Sequence, residues 1–303
     1  MESKYKRMKG QEFFDQIKTE AQAREWVWKA RFDGKDFVCP RCHSESFYQY
    51  HQDPEIRKCQ ECYHRVRLRT KTIFQNSNLP LLIWIRGIYW ATQGKRGISA
   101  LELKRQLSMR SYGTTWAMLH KIRRSLQERD DQYKLKDLIE LDGAKFGKRE
   151  SENQVGVLVG VETKDWIDEQ GRSKSKAGFA KVMIRPETTI CAQEFVNTVV
   201  EKGTMINTDG ANCYKKIEEA DFQVVSHDQE VLDHWLPWVH KFISNAKTWL
   251  MGTHHRTTSK YLERYLAEYT YRFNRRHDPD SWFHRALTAC VFASPRTLGT
   301  LFG

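Results

Sequence analysis

The chain has 303 residues, of which 40% are hydrophobic and 29% are charged, and its formal net charge is +12. This apolar content, with 10 Trp, excludes a disordered chain and suffices for two or three domains with buried cores. The longest apolar run begins at Leu79, is interrupted by Arg86 and is too short to cross a bilayer. The first ten residues lack the apolar core of a signal peptide. We therefore expect a cytoplasmic protein without a membrane partner.

The positive charge is confined to the first half of the chain. Residues 1–137 contain 28 Lys and Arg against 16 Asp and Glu, whereas residues 138–303 contain 22 of each class. Proteins concentrate lysine and arginine in this way where they neutralise phosphates. A merely solvated surface is the alternative, but these charges fall inside recognisable elements. The distribution predicts a module that binds a polyanion, joined to a part with another task.

Four of the seven cysteines form two C-x-x-C pairs that are separated by sixteen residues. This spacing is typical of a zinc ribbon, in which two short turns each supply two thiolates to one tetrahedral site. Because four thiolates leave no coordination position for water, we expect a structural Zn²⁺. The predicted ligands are Cys39, Cys42, Cys59 and Cys62. The other cysteines, interpreted as small buried hydrophobic side chains, are Cys191, Cys213 and Cys290.

A basic segment, RVRLRTK, follows the second cysteine pair. Its basic and apolar residues alternate, which predicts a strand with one charged face and one apolar face. An ordinary exposed strand would mix charges of both signs. The candidate contacts to the polyanion on this face are Arg65, Arg67, Arg69 and Lys71.

Apolar periodicity and end signals then predict three helices. The first runs from about Pro80 to Gln93. The second follows Ser99, which forms a capping box with Glu102. The third, at about residues 112–127, follows a short turn, as in a helix-turn-helix that places its last helix in the major groove of DNA; a plain helical linker is the alternative. The candidate contacts to bases and phosphates are Ser111, Thr114, Thr115, Lys121, Arg123 and Arg124.

The chain after Leu138 has the element order of an RNase H-like sheet: three strands in succession, then strands that alternate with helices. Two aspartates, Asp142 and Asp209, end strands in this part. Burying an unpaired carboxylate costs on the order of several kcal/mol, so a turn, a salt bridge or a metal must compensate each one. Asp-Gly after a strand is also an ordinary turn. The two aspartates approach each other if the first and fourth strands are neighbours, which sequence leaves open.

A late helix with a strong apolar stripe begins near Trp235. Helical periodicity places Asn245 on one flank of that stripe, where it can face the rim of the sheet, and Lys247 at the opposite edge. Asp228 and Glu230 are acidic alternatives to Asn245 at this site.

Seven motifs follow one another along the chain: RFDGKDFVCPRC, GISALELKRQL, WAMLHKIRRSL, IELDGAKFG, INTDGANCY, WVHKFISNAKTWLMGTHH and YLAEYTYRFNRR. In this order they resemble the transposases of bacterial insertion sequences that combine a zinc ribbon with a DDE-type integrase domain. The resemblance implies that Asp142, Asp209 and a third residue on the late helix hold two divalent ions, Mg²⁺ or Mn²⁺. Asn245 stands where the commoner pattern has Glu, and Lys247 fits a subgroup with Asn and a Lys two residues later. The implied catalytic residues are therefore Asp142, Asp209, Asn245 and Lys247.

The expected architecture is multidomain α+β. It comprises an N-terminal helical segment at 1–36, a zinc ribbon at 37–75, a helix-turn-helix DNA-binding domain at 79–130 and an RNase H-like α/β catalytic domain at 138–303. The expected function is that of a nucleoid-associated homo-oligomer that binds inverted repeats in double-stranded DNA, cleaves the element ends and transfers them to target DNA. The alternatives are a non-catalytic DNA-binding regulator or domesticated transposase with a decayed nuclease fold, and a nuclease without strand transfer.

Overall fold

The computed structural model describes residues 10–94, 96–147, 154–167, 170–217, 221–224, 235–255, 257–297 and 299. The described chain forms two compact units. The second unit is Asp130–Arg276, and the first contains the chain up to Arg129 together with the C-terminal segment that begins at His277. The domain boundaries expected from the sequence remain predictions, and these units differ from them in assigning the last segment to the first unit.

The first unit begins with two helices and a small sheet. The second helix starts at a capping box, because the Thr19 hydroxyl accepts a hydrogen bond from the backbone N–H of Gln22 and the Gln22 side chain accepts one from Thr19. The third strand is shorter than the basic segment that predicted it, so that Arg69 and Lys71 lie in the turns that follow. The elements are α1 (Gly10–Gln16), α2 (Glu20–Arg31), β1 (Phe47–Gln49), β2 (Ile56–Cys59) and β3 (Arg65–Arg67), and the strands pair antiparallel in the order β1-β2-β3.

The three predicted helices follow in this unit. The Ser99 hydroxyl caps the second of them, since it accepts a hydrogen bond from the backbone N–H of Glu102 at 3.2 Å. Buried Leu119, Ile122 and Leu126 form the apolar stripe of the third. Their bounds are α3 (Leu81–Thr92), α4 (Ala100–Gln106) and α5 (Tyr112–Asp130).

A five-stranded mixed sheet forms the centre of the second unit. The strand order is β6-β5-β4-β7-β8; β4, β5 and β6 are antiparallel neighbours, whereas β7 is parallel to β4 and β8 is parallel to β7. Glu140 of the first of these strands pairs with Asn207 of the fourth, which answers the question that the sequence left open. The bounds are β4 (Leu138–Phe146), β5 (Val155–Ile167), β6 (Ser173–Met183), β7 (Met205–Thr208) and β8 (Asp221–Val224).

Helices cover both faces of this sheet. One core contains Ile139 and Leu141 of β4 and the residues of α6 (Thr189–Val199). The core on the other face contains residues of α7 (Pro237–His254) and α8 (Ser259–Asn274). Because side chains alternate along a strand, Glu140 and Asp142 face α7.

The last helix, α9 (Trp282–Phe292), returns to the first unit and packs against α2 and α3. Its Phe283 ring lies 5.1 Å from the ring of Phe13 and 6.0 Å from that of Tyr89, measured between centroids. This helix therefore completes the core of the unit that begins the chain. Among the described residues, no helix combines the length and the apolar character needed to span a bilayer.

Candidate zinc centre and candidate active site

The four ribbon cysteines converge on one point. The Sγ atoms of Cys39 and Cys62 lie 3.4 Å apart, those of Cys42 and Cys59 lie 3.5 Å apart, and all four lie within 4.8 Å of one another. A tetrahedral Zn²⁺ with bonds of about 2.3 Å separates its sulfur ligands by about 3.8 Å. The cluster therefore fits a structural Zn²⁺, in agreement with the predicted ribbon.

Local backbone geometry closes the two cysteine turns and favours the thiolate form of Cys59. The residue after each pair, His43 or Tyr63, adopts a positive φ, 62° and 60° respectively, which closes two equivalent turns. A backbone N–H of Cys62 donates a hydrogen bond to the sulfur of Cys59 and is the main cause that lowers the pKa of the Cys59 thiol to about 6. Because the thiolate is the form that binds zinc, this hydrogen bond favours the metal-binding form of Cys59.

Three carboxylates form a second cluster in the other unit. One oxygen from each of Asp142, Glu187 and Asp209 lies within 4.8 Å of the others. Asp142 lies in the middle of β4 and not at a strand end as predicted, because pairing with β5 continues to Phe146. Asp209 follows β7, which is the parallel neighbour of β4, so that the two aspartates lie side by side at the end of β7. Oxygen ligands of this kind suit Mg²⁺ or Mn²⁺. The cluster fits a divalent metal site.

The turn after Asp209 holds its carboxylate in place. Its Oδ1 accepts a hydrogen bond from the backbone N–H of Ala211 at 3.0 Å, and Gly210 between them has a φ of 75°. Only glycine adopts that φ without strain. The Asp-Gly pair therefore forms the ordinary turn that the sequence allows after a strand. The same turn directs Asp209 to the acidic cluster.

Glu187, which the sequence analysis did not identify, comes from the loop between β6 and α6. Its Oε1 accepts a 2.8 Å hydrogen bond from the hydroxyl of Tyr214. Burial raises the pKa of Glu187, the Tyr214 hydrogen bond lowers it, and the carboxylates of Asp142 and Asp209 raise it further. Its position before a helix start is ordinary for an acid, so the sequence contains no strong signal for it.

Gly143 makes room for this arrangement. A Cβ atom at Gly143 would lie 2.4 Å from Cδ of Glu187 and 2.5 Å from its Oε2. A side chain of any size would therefore push Glu187 away from Asp142. The glycine that follows Asp142 in the sequence thus leaves the space that the Glu187 carboxylate occupies.

Helix α7 closes one side of the cluster. The Nε2 atom of His240 lies 3.5 Å from Oδ2 of Asp142. Asn245 is exposed and lies about 140° around the helix from His240. Lys247 contributes to the same wall as His240, whereas Asn245 does not. A cavity of about 510 Å³ at this wall is lined by Asp142, Gly143, Ala144, Lys145, His240, Ile243, Ser244 and Lys247. Asp228 and Glu230 lie outside the described residues.

The predicted nucleic-acid contacts differ in accessibility. Arg65 and Arg67 are exposed on β3, whereas Arg69 forms a 2.9 Å ion pair with Glu55 and donates to the carbonyl of Leu79. Lys71 is exposed.

The candidates on the third helix fall into the same two classes. Thr115 is fully buried and donates to the carbonyl of Ser111, and Arg123 is 2% exposed. Burial lowers the pKa of Lys121, and Arg124 forms a 3.0 Å ion pair with Glu128. The exposed candidates near the helix start are Ser111 and Thr114.

Comparison with protein families gives two matches. A transposase zinc-ribbon domain matches residues 18–65, and an ISXO2-like transposase domain matches residues 133–274. The comparison with individual curated proteins gives no match. The first match contains the four-cysteine cluster and the second contains all three carboxylates. The chain therefore belongs to the transposases that combine a zinc ribbon with a DDE-type, ISXO2-like transposase domain.

Proposed function

We propose that the protein binds the terminal inverted repeats of an insertion sequence, cleaves the strands at its ends and transfers the freed 3′-hydroxyls to target DNA. The observation that carries this proposal is the convergence of Asp142, Asp209 and Glu187 at one edge of the sheet. A decayed nuclease fold in a non-catalytic regulator has no need to retain three acids that repel one another. The assembled cluster therefore favours an enzyme.

The sheet supports an RNase H-like assignment for the catalytic part. Three antiparallel strands are followed by two strands parallel to the first, and helices lie on both faces. In this arrangement the first and fourth strands are adjacent, which brings Asp142 and Asp209 together from positions far apart in the chain.

We assign the metal ligands to Asp142, Asp209 and Glu187. When bound, two divalent ions activate the attacking oxygen and stabilise the leaving oxygen of a phosphodiester. His240 lies beside Asp142, and we propose that it occupies the place on the late helix that the sequence assigned to Asn245. The exposed position of Asn245 favours the assignment of this role to His240 instead of Asn245. Lys247 and Lys145 line the same cavity and supply positive charge for the scissile phosphate.

We propose that the first unit recognises the double-stranded DNA of the element ends. Helices α3–α5 supply a helix-turn-helix, with Ser111 and Thr114 offered to bases at the start of the last helix. The exposed Arg65 and Arg67 of the ribbon supply phosphate contacts. Because both ends of an element must be joined in one reaction, we propose a homo-oligomer on the DNA.

The test uses the full-length protein with duplexes made from the DNA that flanks its own coding sequence, in Mg²⁺ or Mn²⁺. We expect nicked ends and joined products from the wild-type protein. Asp142→Asn and Asp209→Asn should bind the ends but yield neither product, because each removes a charged metal ligand. Cleavage without joined products would indicate a nuclease, and binding without cleavage would favour the regulator.

A further inference from the structure

The N-terminus of α7 lacks a cap of its own. The residue before it is Leu236, whose side chain offers no acceptor, and the first helical residue is Pro237. The backbone N–H groups of Trp238 and Val239 therefore need an acceptor from elsewhere. Both donate to the same atom, Oε2 of Glu140, at 2.7 and 2.8 Å.

Glu140 reaches this helix from β4 and is fixed on both sides. Its second oxygen, Oε1, accepts a 2.8 Å hydrogen bond from the hydroxyl of Thr163 on β5, and the side chain is only 2% exposed. A carboxylate at a helix N-terminus also has a favourable interaction with the helix dipole. Glu140 thus links the sheet to the first turn of α7, because it accepts two hydrogen bonds from the helix and one from Thr163 of β5.

The link through Glu140 and the contact between His240 and Asp142 are neighbouring connections between β4 and α7. Asp142 lies two residues after Glu140 on the same face of β4, and His240 directly follows Val239 on α7. The Glu140 to Val239 hydrogen bond of 2.8 Å is therefore followed by the 3.5 Å approach of His240 to Asp142. Buried Phe242 and Ala246 pack the rest of the helix against the sheet, and these apolar contacts do not involve Glu140.

We infer that Glu140 is a positioning residue: by capping α7 from the neighbouring strand, it sets the register of that helix and so places His240 beside Asp142 and Lys247 in the cavity that Asp142 lines. This inference rests on the proposed function of the cluster, because it assigns Glu140 a part in the geometry of that site and no contact with substrate. The hydrophobic face of α7 holds the helix on the sheet. Glu140 fixes the rotation and height of its first turn.

A second buried carboxylate in the same sheet provides a matched control. Glu162 on β5 is also 2% exposed and also accepts hydrogen bonds from two backbone N–H groups, those of Lys136 and Phe179. It pairs across the strands with Ile139, whose side chain lies in the α6 core. We expect the removal of the Glu162 carboxylate to lower stability as the removal of the Glu140 carboxylate does. Because Lys136 and Phe179 do not belong to α7, the loss of their hydrogen bonds to Glu162 should not displace this helix.

The experiment compares Glu140→Ala, Glu140→Gln and Glu162→Ala in the full-length protein. Two quantities are measured: the single-turnover cleavage rate at saturating end DNA, and the imidazole NMR resonances of His240 in protein labelled at histidine, assigned with His240→Gln. A misplacement of about 1 Å can reduce a rate by about 100-fold. We therefore expect Glu140→Ala to lower the rate at least about 10-fold with little change in DNA affinity, and to shift or broaden the His240 resonances.

The conservative variant should restore both properties, because the amide oxygen of Glu140→Gln still accepts from Trp238 and Val239. Glu162→Ala should leave both near the wild-type values under conditions where it is folded. The inference is overturned if Glu140→Ala leaves the His240 resonances unchanged, or if Glu162→Ala alters rate and resonances to the same extent. If the wild-type protein does not cleave, the proposed function fails, and the resonances alone decide the positioning role.

Discussion

The hydroxyl of Tyr214 donates a 2.8 Å hydrogen bond to Oε1 of Glu187, the acid that completes the carboxylate cluster. Tyr214 is fully buried in the α6 core, and this packing holds its hydroxyl in one position. Partners that orient a ligand in this way affect metal affinity although they do not touch the metal.

Replacing Tyr214 by phenylalanine should therefore weaken divalent metal binding. Loss of an orienting partner reduces metal affinity by about 10- to 100-fold in other sites. We expect a loss near the lower limit, because Asp142 and Asp209 remain, and it can be measured by titration with Mn²⁺ followed by electron paramagnetic resonance. Tyr269→Phe, which alters a ring packed on Phe242 in the same unit, is the control. Equal Mn²⁺ affinity in Tyr214→Phe and wild type would contradict an orienting role of the Tyr214 hydrogen bond in metal binding.

Gly143→Ala should have a similar effect by a steric route. The new Cβ would lie 2.4 Å from Cδ of Glu187, so the carboxylate must move away from Asp142. We expect weaker Mn²⁺ binding and slower cleavage. Gly252→Ala on α7 meets no atom within 4 Å and serves as the control; as a helical substitution it should be neutral or stabilising by about 1 kcal/mol. Unchanged Mn²⁺ affinity in Gly143→Ala would show that Glu187 is free to rearrange.

The residue of α7 that acts at the carboxylate cluster can be identified by a matched pair of variants. His240→Ala should lower the cleavage rate by about 100-fold or more, because it removes the group beside Asp142. Asn245→Ala should change the rate by less than about 3-fold, because surface substitutions away from a site contribute within about 0.5 kcal/mol. Both rates are measured with the same end DNA and metal. The reverse order of effects would restore Asn245 as the ligand.

Removal of one ribbon cysteine should release the zinc. The wild-type protein should contain about one Zn²⁺ per chain, whereas Cys59→Ser should contain little, because three thiolates no longer close the tetrahedral site. Metal content is measured by atomic emission, and the fold of the ribbon by protease digestion. Cys191→Ser, outside the ribbon, should retain its zinc. Full zinc content in Cys59→Ser would contradict a four-cysteine centre.

Helix α9 should stabilise the first unit. Phe283 is buried against Phe13 and Tyr89, so Phe283→Ala should lower the free energy of unfolding by about 3 to 5 kcal/mol. Phe292→Ala on the same helix removes a ring that is 66% exposed and should change it by less than about 1 kcal/mol. Chemical denaturation measures both values. Equal losses in the two variants would mean that α9 is not packed as described.

Local sequence alone determined much of this protein. The spacing of the four cysteines, the cap at Ser99 and the alternation of apolar residues around Asp142 each depend on neighbours within a few residues. The zinc ribbon, the three helices and the position of Asp209 at a strand end could therefore be predicted, whereas the expectation that Asp142 also ends a strand was wrong, because β4 continues to Phe146. The distribution of charge likewise separated a basic first half from a neutral second half.

Only the tertiary structure decided which of these residues meet. The parallel pairing of β4 with β7 brings Asp142 to Asp209, and the packing of α7 places His240 3.5 Å from Asp142 while Asn245 is exposed. Glu187 joins the cluster from a loop whose sequence has no strong signal. Thr115 and Arg123 are also buried, although the sequence pattern predicts that both contact DNA. Periodicity defines the faces of an element, whereas the neighbour that each face meets depends on chain segments up to a hundred residues away, as between Glu140 and Val239.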